Sequence, residues 1–163
     1  MWHKECFKCD KFIKGEGYLA VSGIWMKENI PSVVMNIYSP CQLNKKRLMW
    51  KQIVLIKQYR CKVWCMLGDF NSVRKPDERR GISTNATSRR EILKFNKFID
   101  KTNVNDIPTV RRKYTWYRPN GTTKSHLDRI LLTNEWLEQW LGSKQYILDR
   151  VISDHCALVL KQD

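Results

Sequence analysis

A short apolar run that ends at a glycine constrains the fold more than any other feature of the sequence. Residues 62–67 read Lys-Val-Trp-Cys-Met-Leu, and Gly68 and the polar loop 69–71 follow directly. Such a run is typical of a strand that is buried on both faces and opens into a loop at its carboxyl end. A strand of this kind needs a covering layer on each side, which favours a layered domain.

Strands and helices are predicted to alternate along the rest of the chain. Periodicity, turn residues and capping residues define the elements. They are strands at Tyr18–Trp25 and Ser32–Tyr38, a helix from a cap at Asn44 to about Gln58, a helix behind a capping box at Ser88–Glu91, two antiparallel strands at Lys113–Tyr117 and Leu127–Leu132, a short helix at Asn134–Trp140, and a last strand at Cys156–Leu160. This order predicts one mixed α/β (α+β) domain over residues 1–163.

The chain is strongly basic, with 30 Lys and Arg against 16 Asp and Glu and a net charge of +14. This excess predicts a polyanionic partner, with nucleic acid first. Cations interleaved with aromatic residues suit a DNA backbone, and binding to it falls with salt. The candidate nucleic-acid contacts are Arg74, Arg79, Arg80, Arg112, Lys113, Trp116 and Lys124.

No stretch of the sequence is long and apolar enough for a membrane helix, and the first residues lack the apolar run of a signal peptide. We therefore expect no membrane partner and a cytoplasmic or nuclear protein that is not secreted. The six cysteines are too sparse for a disulfide scaffold and are expected to be thiols.

Acidic and imidazole side chains stand at three points where a predicted strand meets a polar loop. These are Asp69 with Asn71, then Asp128, then Asp154 with His155. Phosphodiester hydrolysis can use such groups, because carboxylates bind Mg²⁺ and an imidazole oriented by a second carboxylate meets the phosphate or the attacking water. Taken singly, each aspartate is more typical of a turn or a helix cap than of a catalytic site.

The order of the motifs resembles the endonuclease/exonuclease/phosphatase family. The matching motifs are Tyr38 after Met-Asn-Ile, Gly68-Asp-Phe-Asn71, Thr115-Trp116, Leu127-Asp128 and Ser153-Asp-His155. They are most similar to the endonuclease domain of plant LINE-type (non-LTR) retrotransposons, over about residues 15–160. The resemblance implies a four-layered α/β/β/α sandwich of two mixed β-sheets with helices outside.

The resemblance also implies roles for the matching residues. Tyr38 would contact the scissile phosphate through its hydroxyl, Asp69 would position or activate the water, and Asn71 would stabilise the phosphate. Asp128 would hold the ring of His155 in one tautomer. DNA is the substrate that this branch of the family implies, in preference to inositol phosphates or phospholipids.

A Mg²⁺ ion is the cofactor that the resemblance implies, with Asp154 and Asp69 at the metal site and Trp116 supporting the loop beside it. Family members also carry a metal-binding Glu on a strand ahead of the one matched at Tyr18–Trp25, and neither Glu5 nor Glu16 stands in that context. The domain is therefore expected to be incomplete at its N-terminus, and weakly active or inactive.

Two other functions remain open from the sequence. The chain could be a non-catalytic basic module that binds DNA or RNA, in which the acidic motifs serve as turns and caps. It could also be a non-functional retroelement relic that does not fold independently. Association with a reverse transcriptase of the same element, the oligomeric state and any DNA sequence preference are left open.

Overall fold

A computed structural model of the chain describes residues 3–58, 61–81 and 85–162. Its strands are β1 (Phe7–Gly15), β2 (Tyr18–Trp25), β3 (Ile30–Tyr38), β4 (Val63–Asp69), β5 (Arg79–Arg80), β6 (Asn105–Asp106), β7 (Thr109–Val110), β8 (Trp116–Tyr117), β9 (Lys124–Ser125), β10 (Asp128–Leu132), β11 (Ser143–Ile147) and β12 (Leu158–Gln162). Its helices are α1 (Leu43–Gln58), α2 (Ala86–Thr102) and α3 (Asn134–Gln139).

The largest sheet is mixed and has the strand order β1-β2-β3-β4-β10-β6. Strands β1, β2 and β3 form an antiparallel meander, whereas β3 and β4 run parallel through the crossover helix α1. Strand β10 then lies antiparallel to β4. The predicted doubly buried strand is therefore β4, which lies inside the sheet with a neighbour on each side.

Two hydrophobic layers cover the faces of this sheet. On one face, α1 and α2 bury an aromatic cluster in which Trp50 stacks on Phe95 and Phe98 at 5.5 and 5.6 Å. On the other face, α3 and the mixed three-stranded sheet β12-β11-β7 pack against β4 and β10. The predicted α/β sandwich with two mixed sheets is confirmed.

A cleft of about 550 Å³ opens between the large sheet and β12. Apolar side chains dominate its lining, including Trp25, Leu67, Trp136 and Leu158. In the described part of the chain, β12 pairs on one side only, with β11. This cleft lies on the opposite face of the sheet from α1 and α2, because its lining belongs to the hydrophobic cluster around Trp136.

A small third sheet, β5-β9-β8, follows the loop after β4. It corrects one prediction: Trp116 and Tyr117 pair with Ser125 and Lys124, whereas Leu127–Leu132 belongs to the large sheet. The turn at Pro119–Gly121 lies between two strands, but these strands are β8 and β9 of the third sheet. Strand β10 follows β9 in the chain and pairs with β4 in the large sheet.

Two helix starts also differ from prediction. Asn85 caps α2 by accepting a hydrogen bond from the Ser88 backbone N–H at 2.9 Å, so the helix begins ahead of the predicted capping box. The Glu91 side chain is therefore not used in a capping box and is free to bind another part of the molecule. Helix α1 begins at Leu43, which puts Asn44 inside its first turn. Strand β1 was not predicted, because Lys8, Lys11 and Lys14 at every third position interrupt its apolar pattern.

No helix in the described ranges could cross a bilayer. The cysteines are present as thiols, as predicted, and Cys65 is buried in β4. Burial raises the pKa of its thiol to about 12, so it behaves as a small apolar side chain.

Gly68 is required by the close approach of β4 to β3. Its φ is 128°, a conformation that side chains other than glycine rarely adopt. A Cβ at this position would lie 2.1 Å from the backbone oxygen of Ile37. Gly121 is also at positive φ, at 71°, but nothing lies within 4 Å of a Cβ added there. A side chain at Gly121 would meet only the unfavourable φ, whereas a side chain at Gly68 would also collide with the backbone of β3.

We expect Gly68→Ala to lower the free energy of unfolding by about 3 kcal/mol, because it adds a collision with backbone to an unfavourable φ. The matched variant Gly121→Ala should cost about 1 kcal/mol, since it adds only the φ penalty. Urea denaturation followed by circular dichroism measures both. Equal losses in the two variants would contradict this account of Gly68.

Candidate active site

Strand register brings three predicted residues together at the ends of inner strands of the large sheet, a place called here the edge of the sheet. The parallel pairing of β3 and β4 sets Tyr38 beside Asp69. The antiparallel pairing of β4 and β10 sets Asp128, the first residue of β10, opposite Asp69. Three residues that are far apart in the sequence are thus neighbours at the point where β3 and β4 end.

His155 is held at this edge by Asp128. The imidazole Nδ1 lies 3.1 and 2.9 Å from the two carboxylate oxygens of Asp128. A carboxylate only accepts hydrogen bonds, so Nδ1 carries the proton and Nε2 is the ring nitrogen that can meet a substrate. The predicted contact between Asp128 and His155 is therefore present in the structure.

Thr115 fixes the two halves of this pair relative to each other. Its hydroxyl accepts hydrogen bonds from the backbone N–H groups of Leu127 and Asp128, both at 2.9 Å. Its backbone oxygen accepts a hydrogen bond from the Cys156 N–H at 2.7 Å, next to His155. The sequence placed Thr115 in a motif but assigned it no role, because a threonine that accepts two backbone bonds resembles any strand threonine.

Asp69 and Asn71 form a tight turn at the end of β4. The Asn71 N–H donates to Asp69 Oδ1 at 2.8 Å, and Asn71 adopts a left-handed φ of 51°. Its side-chain amide donates to the Ser39 backbone oxygen at 3.2 Å, which joins the turn to the end of β3. The turn is thus tied to the strand that carries Tyr38, whose own side chain is 75% exposed.

Lys46 supports the same turn from below, although no sequence pattern indicates it. Its side chain is 2% exposed, and Nζ donates to the Asn71 backbone oxygen and, at 3.2 Å, to Ser72 Oγ. Glu91 closes the network by accepting from Lys46 at 2.6 Å and from Ser72 at 2.8 Å. Lysines on an amphipathic helix are ordinarily exposed, so only the structure identifies this buried ion pair.

The electrostatics of the site move two pKa values upward. Burial raises the pKa of Asp69, the Asp128 charge adds to the rise, and the hydrogen bond from Asn71 opposes it. Burial alone would lower the pKa of His155, but the hydrogen bond and charge of Asp128 outweigh it and raise the pKa above its usual value. Asp128 therefore favours the protonated form of His155, whereas burial and the Asp128 charge favour the protonated form of Asp69.

Asp154 is more exposed than the other acids. The Trp116 indole N–H donates to its Oδ2 at 2.8 Å, and this bond is the main cause that lowers the pKa of Asp154. Trp116 also forms an isolated antiparallel bridge with His155. The predicted loop support by Trp116 therefore has a direct contact at Asp154.

The described residues do not fit a magnesium site on their own. Across residues 3–58, 61–81 and 85–162, no group of three or more His, Cys, Asp or Glu side chains is placed to hold a metal. Asp128 is occupied by His155, Asp154 accepts from Trp116, and one oxygen of Asp69 is used by the turn.

The cations predicted to bind nucleic acid divide into two groups. Three of them form ion pairs: Arg74 with Asp106 at 3.3 Å, Arg112 with Asp149, and Lys113 with Asp77 at 2.6 Å. The other group lies on the third sheet, where Arg80 is exposed and pairs in register with Lys124. The Lys124 ammonium lies 4.9 Å from the centre of the Tyr114 ring. Arg79 on the same strand is half-buried.

Arg129, next to Asp128, has a structural position that the sequence did not indicate. Its guanidinium is 1% exposed and forms ion pairs with Glu78 and, at 2.6 Å, with Asp106. It thereby ties β10 to the turn ahead of the third sheet and to β6. A buried pair of this kind is costly to break, because loss of the arginine removes an ion-pair partner from both Glu78 and Asp106, of which Asp106 keeps Arg74.

Asp69→Asn tests the electrostatic conflict in the site. The asparagine oxygen can still accept from the Asn71 N–H, but the charge is gone. Because the folded pKa of Asp69 lies above the ordinary value of 3.8, ionisation costs stability as pH rises through that range, and the full cost is present at neutral pH. We expect Asp69→Asn to raise the melting temperature at neutral pH and to lose this advantage in acid, as followed by circular dichroism.

The matched control is Asp77→Asn at an exposed aspartate whose pKa the Lys113 hydrogen bond lowers. It removes the same charge and should give no rise in melting temperature. If Asp69→Asn melted below the wild type at neutral pH, the proposed conflict between Asp69 and Asp128 would be wrong.

Comparisons with solved structures show which fold this is. The endonuclease domain of TRAS1, a telomere-specific non-LTR retrotransposon, matches 94% of this chain with a TM-score of 0.63 and 13% identity. The 3′ phosphatase NExo from Neisseria, solved with a product DNA hairpin, matches 88% with a TM-score of 0.61 and 14% identity. An endonuclease/exonuclease/phosphatase family protein from Bacteroides thetaiotaomicron matches 98% with a TM-score of 0.59 and 13% identity.

This chain spans 66%, 64% and 64% of the lengths of those three structures, which is less than two thirds of each. No protein-family model and no curated protein sequence matches the chain. At these identities the likeness establishes the fold alone. The chain therefore has the α/β sandwich fold of endonuclease/exonuclease/phosphatase proteins, a fold shared by nucleases and phosphatases.

Proposed function

We propose that this chain is an endonuclease-type phosphodiesterase domain of a LINE-like retrotransposon that acts on DNA with slow turnover. The observation that carries the proposal is the Asp128–His155 pair opposite Asp69 at the carboxyl end of β4. Support for the retrotransposon branch comes from the fold likeness to the TRAS1 endonuclease domain and from the motifs around Asp69, Thr115, Asp128 and His155.

Asp69 and His155 divide the proton chemistry between them. Asp69 accepts a proton from the attacking water, and its raised pKa suits this task because a base works best when its pKa is nearer the working pH. The water oxygen bonds to phosphorus as the bond to the leaving oxygen breaks, and the leaving oxygen takes up a proton from solvent to become a hydroxyl. His155, protonated and oriented by Asp128, donates from Nε2 to a phosphate oxygen and stabilises the charge that develops there.

Asn71 and Tyr38 position the phosphate. Both lie at the edge where β3 and β4 end, and the Asn71 turn is fixed by hydrogen bonds to Asp69 and Ser39. The exposed Tyr38 hydroxyl is available to a phosphate oxygen of a bound strand. Positioning of this kind accounts for much of the acceleration of phosphate transfer.

Slow turnover is expected because, among the described residues, no third His, Cys, Asp or Glu side chain joins Asp69 and Asp154 in a group that could hold a metal ion. In the family a Mg²⁺ ion supplies charge neutralisation at the phosphate oxygens, and Asp154 with Asp69 are the residues predicted to hold it. Here Asp154 accepts from Trp116 and Asp69 from Asn71. Mg²⁺ keeps several waters in many sites, so it belongs in the assay buffer.

The third sheet is the proposed DNA contact. Arg80 and Lys124 are register partners on β5 and β9, and Trp116 lies on the neighbouring strand β8. Tyr117 is the other residue of β8, and its backbone N–H donates to the Asp154 backbone oxygen. A DNA backbone along this sheet would reach the Asp154–His155 segment directly.

His155→Ala tests catalysis in a supercoiled-plasmid nicking assay with Mg²⁺. We expect the variant to lower nicking by about 10²–10³-fold, because it removes a positioned donor to the phosphate. Asp128→Asn should also lower nicking, since it disturbs the tautomer and orientation of the ring. Asp77→Asn is the matched control and should nick like the wild type.

Nicking that persists in His155→Ala would contradict the assigned site. If the wild type binds DNA but nicks no faster than His155→Ala, the endonuclease proposal fails and a non-catalytic binding module is the better description. A flat thermal melt of the purified wild type would instead support a relic without a stable fold.

DNA affinity should depend steeply on salt and on the third sheet. We expect Arg80→Glu/Lys124→Glu to weaken duplex binding at every sequence and to reduce the slope of log affinity against log salt by about 2, because each of the two cations neutralises one phosphate. Fluorescence anisotropy over a range of salt concentrations measures both quantities. The double variant Asp69→Ala/His155→Ala should retain the wild-type slope.

The matched control for charge is Lys8→Glu/Lys14→Glu on β1, which makes the same change in net charge away from the third sheet. If this control lost as much affinity and slope as Arg80→Glu/Lys124→Glu, binding would follow net charge and the proposed DNA surface would be wrong.

A further inference from the structure

A groove of about 440 Å³ runs between α1 and α2, on the outer face of the helical layer. It is separate from the candidate active site and from the third sheet. Its floor is apolar and its rim is entirely basic. The floor is formed by Trp50, Val54, Leu55 and Phe98, and the rim by Arg47, Lys51, Lys94, Lys97 and Lys101.

The rim cations are not neutralised within the molecule. All five are exposed, and in the described part of the chain none of them forms an ion pair. The lining of the groove includes no acidic residue. Other lysines of the same chain do find acids, as Lys45 does with Glu16 at 3.3 Å. Five unneutralised cations around one groove make a strongly positive potential that favours an anionic ligand.

The floor supplies apolar surface that a ligand can cover. Leu55 is 55% exposed, whereas Trp50 is 4% exposed and stacks on Phe95 and Phe98. Removing exposed apolar surface such as that of Leu55 from water favours binding. The groove therefore combines an apolar floor with a cationic rim.

The shape of the groove favours a helical occupant. The lining residues of α1 extend from Arg47 to Leu55, which corresponds to about 12 Å of helix. This length accepts two turns of an amphipathic helix with apolar residues at i, i+3, i+4 and i+7. A nucleic-acid backbone would satisfy the rim but would leave the apolar floor uncovered.

We propose that this α1–α2 groove binds an acidic amphipathic helix of a partner protein. Apolar side chains of that helix cover Val54, Leu55 and Phe98, and its Asp and Glu residues pair with the basic rim. The proposal does not depend on catalysis or on DNA binding at the third sheet.

The test uses a synthetic peptide of about fourteen residues with Leu at i, i+3, i+4 and i+7 and Glu at most other positions. The peptide is longer than the two turns that fill the groove, because an isolated helix shorter than about 12–15 residues is only marginally stable. A second peptide has the same composition in scrambled order. Binding to the full chain is measured by calorimetry and by the NMR resonance of the Trp50 indole N–H. Trp50→Phe assigns that resonance.

We expect the periodic peptide to bind and to shift the Trp50 indole resonance, and the scrambled peptide to bind about tenfold more weakly. Lys94→Glu/Lys97→Glu should weaken binding about tenfold or more, since two attractive rim contacts become repulsive. Lys8→Glu/Lys14→Glu on β1 is the control of equal charge change and should retain binding. Leu55→Ser removes part of the exposed floor without touching the buried core, and should also weaken binding.

Three results would overturn the proposal. Equal binding of both peptides would reduce the groove to a general attraction for negative charge. Absence of any shift in the Trp50 resonance would place the peptide elsewhere. Displacement of the peptide by duplex DNA, with a DNA-induced Trp50 shift that Leu55→Ser leaves unchanged, would make the groove a nucleic-acid surface.

Discussion

The register between β4 and β10 is the constraint on which the rest of the site depends. It sets Asp69 opposite Asp128, and the parallel pairing of β3 with β4 adds Tyr38 at the same edge. A slip of one residue would turn each of these side chains to the other face of the sheet. The collision that any Cβ at Gly68 would make with β3 shows how closely the strands must approach to hold this register.

The same register creates an electrostatic conflict that neighbouring residues partly offset. Two carboxylates face each other at a partly buried edge, and the pKa of Asp69 rises as a result of burial and of the Asp128 charge. His155 is hydrogen-bonded to Asp128, and the charges of His155 and of buried Lys46 both lower the pKa of Asp69. Clusters of charged residues with shifted pKa values are common in active sites. Lys46, Thr115 and Arg129 stabilise the loops and strand that carry this cluster.

The sequence predicted what local patterns encode and missed what depends on contacts between distant segments. The strand β2, the doubly buried β4 and the helix α3 followed from apolar pattern and turn residues, and the sandwich class is confirmed. The Asp128–His155 contact also followed from the motifs, although the catalytic roles remain predictions. Lys46 and Arg129 could not be found, because a buried cation resembles a surface cation until its acidic partners from other elements are known.

The topology makes some strand pairings more costly to close than others. The β1–β3 meander joins neighbours in sequence, whereas the pairing of β4 with β10 closes a long stretch of chain and costs more conformational entropy. A chain that has formed only its meander and first helix therefore lacks the pairing that sets Asp69 opposite Asp128. The pairing that is costliest to close is also the better shielded from water, because every residue of β10 is buried whereas most of β1 is exposed.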